Sequence, residues 1–248
     1  MPTPFSVFGP GSLYLTRTDI TTATPINIGY AQELDIDISY TVKDLYGQNQ
    51  FPLDSARSVA KVTGKAKAAV VSGIAMNEAF FGQSFSSGTL LSALPELHTI
   101  PGTPYQVTVT NSGEFDVDLG VVYTATNLPL QKVASSPATG QYAEAGGVYT
   151  FAAADTTLAV SINYTYANSS AGQTLAINNT LIGTTPTFQL DYATTHLNKT
   201  MVVRVYQAIG SKLSWQFKLE DFMIPELDFN VFANAAGQVF LIAFPEVS

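Results

Sequence analysis

Two histidines, His98 and His196, and 19 acidic residues are the side chains of this chain best suited to metal binding or proton transfer. A metal-binding pair needs ligands at helical or hairpin spacing. His98 and His196 are far apart in sequence, each beside a leucine, Leu97 and Leu197, and both read as structural or surface histidines. Glu33, Asp35 and Asp37 form a ladder of alternate carboxylates that suggests calcium. An EF-hand loop opening at Asp35 needs glycine at its sixth position and glutamate at its twelfth, where this chain has Tyr40 and Tyr46. Gly82-Gln83-Ser84-Phe85-Ser86 lacks the closing glycine of a nucleophile elbow and follows a helical pattern instead of a strand. Gly9-Pro10-Gly11 is not followed by the Gly-Lys-Ser/Thr of a phosphate loop. Cysteine is absent, which removes thiol catalysis, zinc-thiolate sites and disulfide scaffolds. Only carboxylate pairs for glycoside hydrolysis stay open, because their separation in space is not written in the sequence. Catalysis is therefore the last reading, and no cofactor or metal is expected.

The same carboxylate ladder has a plainer use as one face of a strand. From Glu33 to Lys43, polar Glu33, Asp35, Asp37, Ser39, Thr41 and Lys43 alternate with Leu34, Ile36, Ile38, Tyr40 and Val42. That period of two marks a half-buried strand, and at ~3.3 Å per residue it runs about 36 Å. A second alternating run follows, with Arg57, Lys61, Lys65 and Lys67 on one parity and Ser58, Ala60, Val62, Gly64, Ala66 and Ala68 on the other. Paired antiparallel, the runs place acids and bases on one face, where cross-strand ion pairs of ~0.2–1 kcal/mol each fix register without driving folding. The connection, residues 44–56, reads as a docking loop of about a dozen residues carrying Tyr46, Phe51, Pro52 and Leu53, longer than hairpin closure requires.

The 248 residues are 46% hydrophobic, enough for a sizeable core. Formal charge is −8, yet the segment from Tyr30 to Ala69 balances Glu33, Asp35, Asp37, Asp44 and Asp54 against Lys43, Arg57, Lys61, Lys65 and Lys67. No basic stripe remains for tight binding of a phosphate backbone. The first residues lack the basic-then-apolar pattern of a signal peptide and no apolar run reaches membrane-spanning length, so synthesis in the cytoplasm is expected.

Along the chain, residues 1–11, with Pro2, Pro4, Gly9, Pro10 and Gly11, read as an extended arm. Ser12 to Thr16 reads as a short strand and Thr21 to Thr24 as a turn. Ser72 to Gly82 is the clearest helix, capped by Ser72, ended by Gly82 and apolar along Ala75, Met76, Ala79 and Phe80. Residues 84–104 read as irregular. Strands are predicted at 105–110, 114–123, 148–152, 156–166, 172–182, 187–193, 200–208 and 213–222, with turns at Asn168-Ser169-Ser170-Ala171-Gly172 and Ile209-Gly210-Ser211. The expected fold is all-β, a sandwich or barrel with one short flanking helix, forming a single domain over 1–248. A second amphipathic hairpin is expected over 156–182, with Leu158, Val160, Ile162, Tyr164 and Tyr166 opposed to Thr157, Ser161, Asn163 and Thr165.

In their order these stretches resemble the major tail (tail tube) proteins of long-tailed bacteriophages. The resemblance is spread over Phe8-Gly9-Pro10-Gly11, the strand ending Lys43-Asp44-Leu45-Tyr46-Gly47-Gln48, Lys61 to Lys67 running into Asn77-Glu78-Ala79-Phe80-Phe81-Gly82, and Gly140-Gln141-Tyr142. It continues through Gly147-Val148-Tyr149-Thr150-Phe151, Ile162-Asn163-Tyr164-Thr165-Tyr166, Glu220-Asp221-Phe222, Asp228-Phe229, Gly237-Gln238-Val239 and Pro245-Glu246. It implies a virion structural protein whose hexameric rings share an inner β-barrel and stack into the hollow tube through which the genome is ejected. Implied partners are other copies of itself and the tape-measure, tip and terminator proteins of the tail. DNA would pass without specific binding, and no membrane is involved.

On this reading Glu33, Asp35, Asp37, Lys61, Lys65, Lys67, Thr157, Ser161, Asn163 and Thr165 are lumen-facing candidates, because a conduit carrying unpaired cations would retain phosphate. Phe5, Phe8, Tyr46, Phe51, Pro52 and Leu53 are candidates for ring stacking. The alternatives are a monomeric β-sandwich that binds carbohydrate or a host surface through aromatics such as Tyr142 and Tyr149, and a single-ring virion protein such as a tail terminator.

Overall fold

The computed structural model describes residues 5–7, 9–70 and 72–245. Its strands are β1 (Gly11–Arg17), β2 (Ile26–Tyr46), β3 (Pro52–Ala68), β4 (Phe85–Thr99), β5 (Gln106–Thr108), β6 (Phe115–Tyr123) and β7 (Gln131–Lys132). They continue as β8 (Gln141–Ala145), β9 (Val148–Phe151), β10 (Ala159–Leu175), β11 (Phe188–His196), β12 (Lys199–Ser214), β13 (Glu226–Val231) and β14 (Phe240–Ala243). Among the described residues there is one α-helix, α1 (Gly73–Met76), which runs into a π-helical turn over Asn77–Phe81. The protein is all-β with one short helix. Contacts divide the chain into two compact units, 1–83 with 177–248, and 84–176, where the sequence had been read as one domain.

In the first unit the strand order is β11-β1-β2-β3-β13-β12, and β12 pairs back onto β11. Every pairing is antiparallel, so the six strands close into a barrel, and β14 continues alongside β12 beyond β13. Closure removes sheet edges that would otherwise be open to other chains. Leu13, Leu15, Ile28, Phe188, Leu190 and Phe229 fill the interior. Gly64 is required there, because the Phe229 ring occupies the space its side chain would take. Ser72 Oγ accepts from Ala75 N–H to start the helix, and Gly82, at φ +59, ends it. Ala75 and Ala79 are buried against the barrel.

Gly210, expected in a turn, lies inside the continuous strand β12. A Cβ on it would stand 2.8 Å from the carbonyl oxygen of Ala79, so the glycine serves the close approach of the helix instead of a change of direction.

The second unit is a sandwich of a three-stranded sheet, β4-β10-β6, and a four-stranded one, β5-β9-β8-β7. Both contribute to a core of Val107, Val121, Tyr149, Val160, Ile162 and Tyr164. The segment read as irregular contains β4. Its Pro95 sits in a register break between the pairs Ala93↔Tyr164 and Glu96↔Ile162, where the ladder asks nothing of the missing N–H. The expected hairpin over 156–182 does not form: β10 is one strand, and Ser169 to Gly172 bulge from it where a turn had been read. Residues 176–187 contain no strand, and neither do 215–225, where the strand expected over 213–222 ends at Ser214.

Candidate functional site

The alternation of the first hairpin is observed, and it is longer than the sequence suggested. β2 and β3 pair from Ala31↔Ala68 to Tyr46↔Pro52, so the docking loop expected over 44–56 shrinks to residues 47–51. Tyr46, Pro52 and Leu53 belong to the strands, leaving Phe51 in the loop. The barrel end of the hairpin is anchored, since Leu34 and Ile36 lie against the core and Val62, Ala66 and Ala68 are buried. From Ile38 to Lys61 every residue is exposed. Among the described residues β2 has no partner there but β3, because β1 pairs no further than Ala31 and β13 no further than Val62. Tyr40, Val42, Leu45, Tyr46, Leu53 and Val59 present apolar area to solvent, and Phe51 is 80% exposed. An apolar ribbon with two unpaired edges is the feature that folded chains ordinarily avoid.

The charged face carries Glu33, Asp35 and Asp37 opposite Lys67, Lys65 and Thr63 on the outside of the barrel wall. Of the expected cross-strand ion pairs, Lys67 with Glu33 forms. Lys65 turns to Glu226 of β13 instead, at 3.0 Å. The hydrogen bond from Lys65 holds the Glu226 carboxyl below its ordinary range. Among the described residues Asp35, Asp37 and Lys61 form no ion pair. Arg57 leaves this face altogether. A bulge between Tyr40↔Ala60 and Val42↔Arg57 carries it to the apolar side, where its guanidinium lies 4.7 Å from the centre of the Tyr40 ring.

The remaining candidates are not gathered on this hairpin. Thr157, Ser161, Asn163 and Thr165 lie in the second unit; Thr157 precedes β10 at φ +72, and Ser161 is buried. Phe5 meets Phe244 edge to face, with ring centres 6.4 Å apart. Phe8 and the start of the expected arm lie outside the described residues.

Two polar clusters in the second unit escaped the sequence reading. Asp118 stands on β6. It accepts from Tyr142 Oη at 2.8 Å, Tyr149 Oη at 2.9 Å and Gly120 N at 3.0 Å, and pairs with Lys132 at 2.9 Å. Burial pushes its carboxyl up, but the donors together prevail and hold it below the ordinary range. Burial and then Asp118 raise the Tyr142 hydroxyl, and both tyrosines stay neutral donors. Tyr142 and Tyr149 are therefore core residues, which corrects their reading as exposed glycan-binding aromatics. Around Glu96, Tyr164 Oη donates at 2.6 Å and Thr110 N at 2.9 Å, while His98 Nε2 lies at 2.7 Å. His98 thus has a carboxylate partner two residues away, on the same face of β4, a spacing the sequence reading passed over. Each cluster ties a strand to a neighbouring segment, as expected for buried polar groups that must be hydrogen-bonded.

Among the described residues no group of three or more His, Asp or Glu side chains is arranged to hold a metal ion, and no helix is long and apolar enough to cross a membrane. No protein-family model matches the chain, and no curated protein matches it at a significant level.

Proposed function

We propose that the chain is the repeating subunit of a bacteriophage tail tube, in which rings of subunits stack into a hollow conduit for genome ejection. The projecting part of the β2–β3 hairpin carries this reading. Some 24 residues, 38–61, stand clear of the barrel with apolar side chains and both strand edges open. Such an element is stable and soluble once neighbouring copies cover it. Phe5, Phe8, Tyr46, Phe51, Pro52 and Leu53 are the proposed ring-stacking residues.

The lumen is assigned to the charged outer face of the same hairpin. Lys67 is neutralised by Glu33 and Lys65 by Glu226, so few free cations on this face meet passing phosphate. Thr157, Asn163 and Thr165 are retained as neutral lumen candidates, whereas Ser161 is dropped because its side chain is buried in the second unit. Hexameric symmetry, residence in the virion after synthesis in the host cytoplasm, and partnership with tape-measure, tip and terminator proteins complete the proposal.

Negative-stain electron microscopy across a concentration series tests it. Stacked rings with an axial channel are expected; single discs point to a terminator-like protein, and monomers at high concentration contradict the tube.

A further inference from the structure

Residues 215–222 carry the sequence of a strand without being one. Trp215, Phe217 and Leu219 alternate with Gln216, Lys218 and Glu220, yet among the described residues no backbone-to-backbone hydrogen bond involves 215–222, and the one Phe222 N–H bond goes to the side chain of Asp221. Phe217 is 82% exposed, Leu219 98% and Phe222 90%. Beside them opens a cleft of about 200 Å³ bounded by Lys67, Ser214, Gln216, Asp221, Phe222 and Glu226. An alternating apolar segment, bent at 219–221 and without a backbone partner strand among the described residues, is half of a β-augmentation.

The other half lies on the same chain at the opposite end of the barrel. All barrel pairings are antiparallel, so the connections β2–β3 and β12–β13 leave from opposite ends. Residues 47–51 of one molecule therefore cannot reach its own 215–222. The hairpin offers what the segment lacks, namely open edges on β2 past Ala31 and on β3 before Val62, with Tyr46, Phe51 and Leu53 exposed nearby. Both partners carry charges of mixed sign, Lys43, Asp44, Asp54 and Arg57 on the hairpin and Lys218, Glu220 and Asp221 on the segment, so no like-charge field opposes contact. Two different surfaces at opposite ends of one chain make a heterologous contact, which propagates as a filament.

We propose that 215–222 is the seat for the β2–β3 hairpin of the next copy along the axis, and becomes a strand on that contact. The inference rests on the tube reading and supplies the residues that receive the hairpin. Because the chain has no cysteine, it can be tested by mixing two single-cysteine variants, Leu53→Cys and Phe217→Cys, under mild oxidation. A disulfide-linked dimer is expected in the mixture and in neither variant alone. Phe217→Asp combined with Phe222→Asp, both at exposed positions, is expected to shorten tubes at least tenfold while leaving rings intact.

Tubes of wild-type length from the double variant, with no dimer in the mixture, would overturn the seat and leave the tube reading standing. A wild-type protein that forms no tubes but whose cysteine variants link in the mixture would support the seat and overturn the tube. Absence of both tubes and cross-links would overturn both.

Discussion

The ring of Phe229 stands where the first side-chain carbon of residue 64 would be: a Cβ built on Gly64 lies 2.2 Å from Phe229 Cζ. Phe229 is fully buried and meets Phe188 edge to face at 6.5 Å, so it has nowhere to retreat. Gly64 pairs with Phe229 on one side and Ile36 on the other, at the point where the hairpin leaves the barrel. Gly64→Val is expected to cost about 3 kcal/mol by overpacking, measured by urea unfolding. A cost below ~0.5 kcal/mol would mean that the ring is not fixed.

Gly210 makes a second test of close approach. Gly210→Ala sets a methyl group against the Ala79 carbonyl and the Phe80 ring, and is expected to cost about 1–3 kcal/mol. Ordinarily Gly→Ala within a strand is neutral or favourable. A stabilised variant would show that the Ala79 carbonyl and the Phe80 ring do not close on Gly210 in solution.

The Glu33–Lys67 pair is expected to matter little to stability. Both side chains are about a third or more exposed, so Lys67→Ala should cost less than about 1 kcal/mol. If the hairpin face lines the lumen, replacing Glu33, Asp35 and Asp37 by lysine should slow DNA ejection from intact tails. Ejection at the wild-type rate would remove the lumen assignment while leaving the fold untouched.

Asp118 gives the second unit a pH dependence whose sign is fixed. Its folded carboxyl lies below the ordinary value of 3.8. The unfolded chain therefore binds the proton first as pH falls, and the stabilisation, complete above about pH 4, is lost on acidification through the folded value. Asp118→Ala strands two buried tyrosine hydroxyls, while Lys132 keeps Glu144 at 3.0 Å, and should cost about 3 kcal/mol at neutral pH. Asp118→Asn should flatten the acid limb, followed by near-UV circular dichroism of the tyrosines. An unchanged acid limb would place the titration elsewhere.

Local alternation made the hairpin legible. Each residue from Glu33 to Tyr40 declares its face, and the burial of Val62, Ala66 and Ala68 follows the same period. Ser72 and Gly82 marked the helix because caps act on their immediate neighbours. What the sequence hid depended on distant partners. Gly210 looked like a turn because the Ala79 backbone that requires a glycine there is more than a hundred residues away. Pro95 and the serines around it concealed β4, whose bulge is defined only by β10. Arg57 changed face through a bulge that local alternation does not record. Trp215, Phe217 and Leu219 gave a strand pattern, but among the described residues no strand pairs with it. The Asp118 cluster joins residues from four strands and announces itself only as charge.

The most direct test of the hairpin as the assembly element is to remove it without disturbing the barrel. Tyr40 and Ala60 face each other across the ladder, so replacing residues 41–59 by Asn-Gly closes a two-residue turn at that point. Electron microscopy and sedimentation velocity of this variant and the wild type, at matched concentration, give the answer. Tubes from the wild type and folded monomers from the variant, with similar melting temperatures, are expected. Identical assembly of the two proteins would contradict the role given to the hairpin.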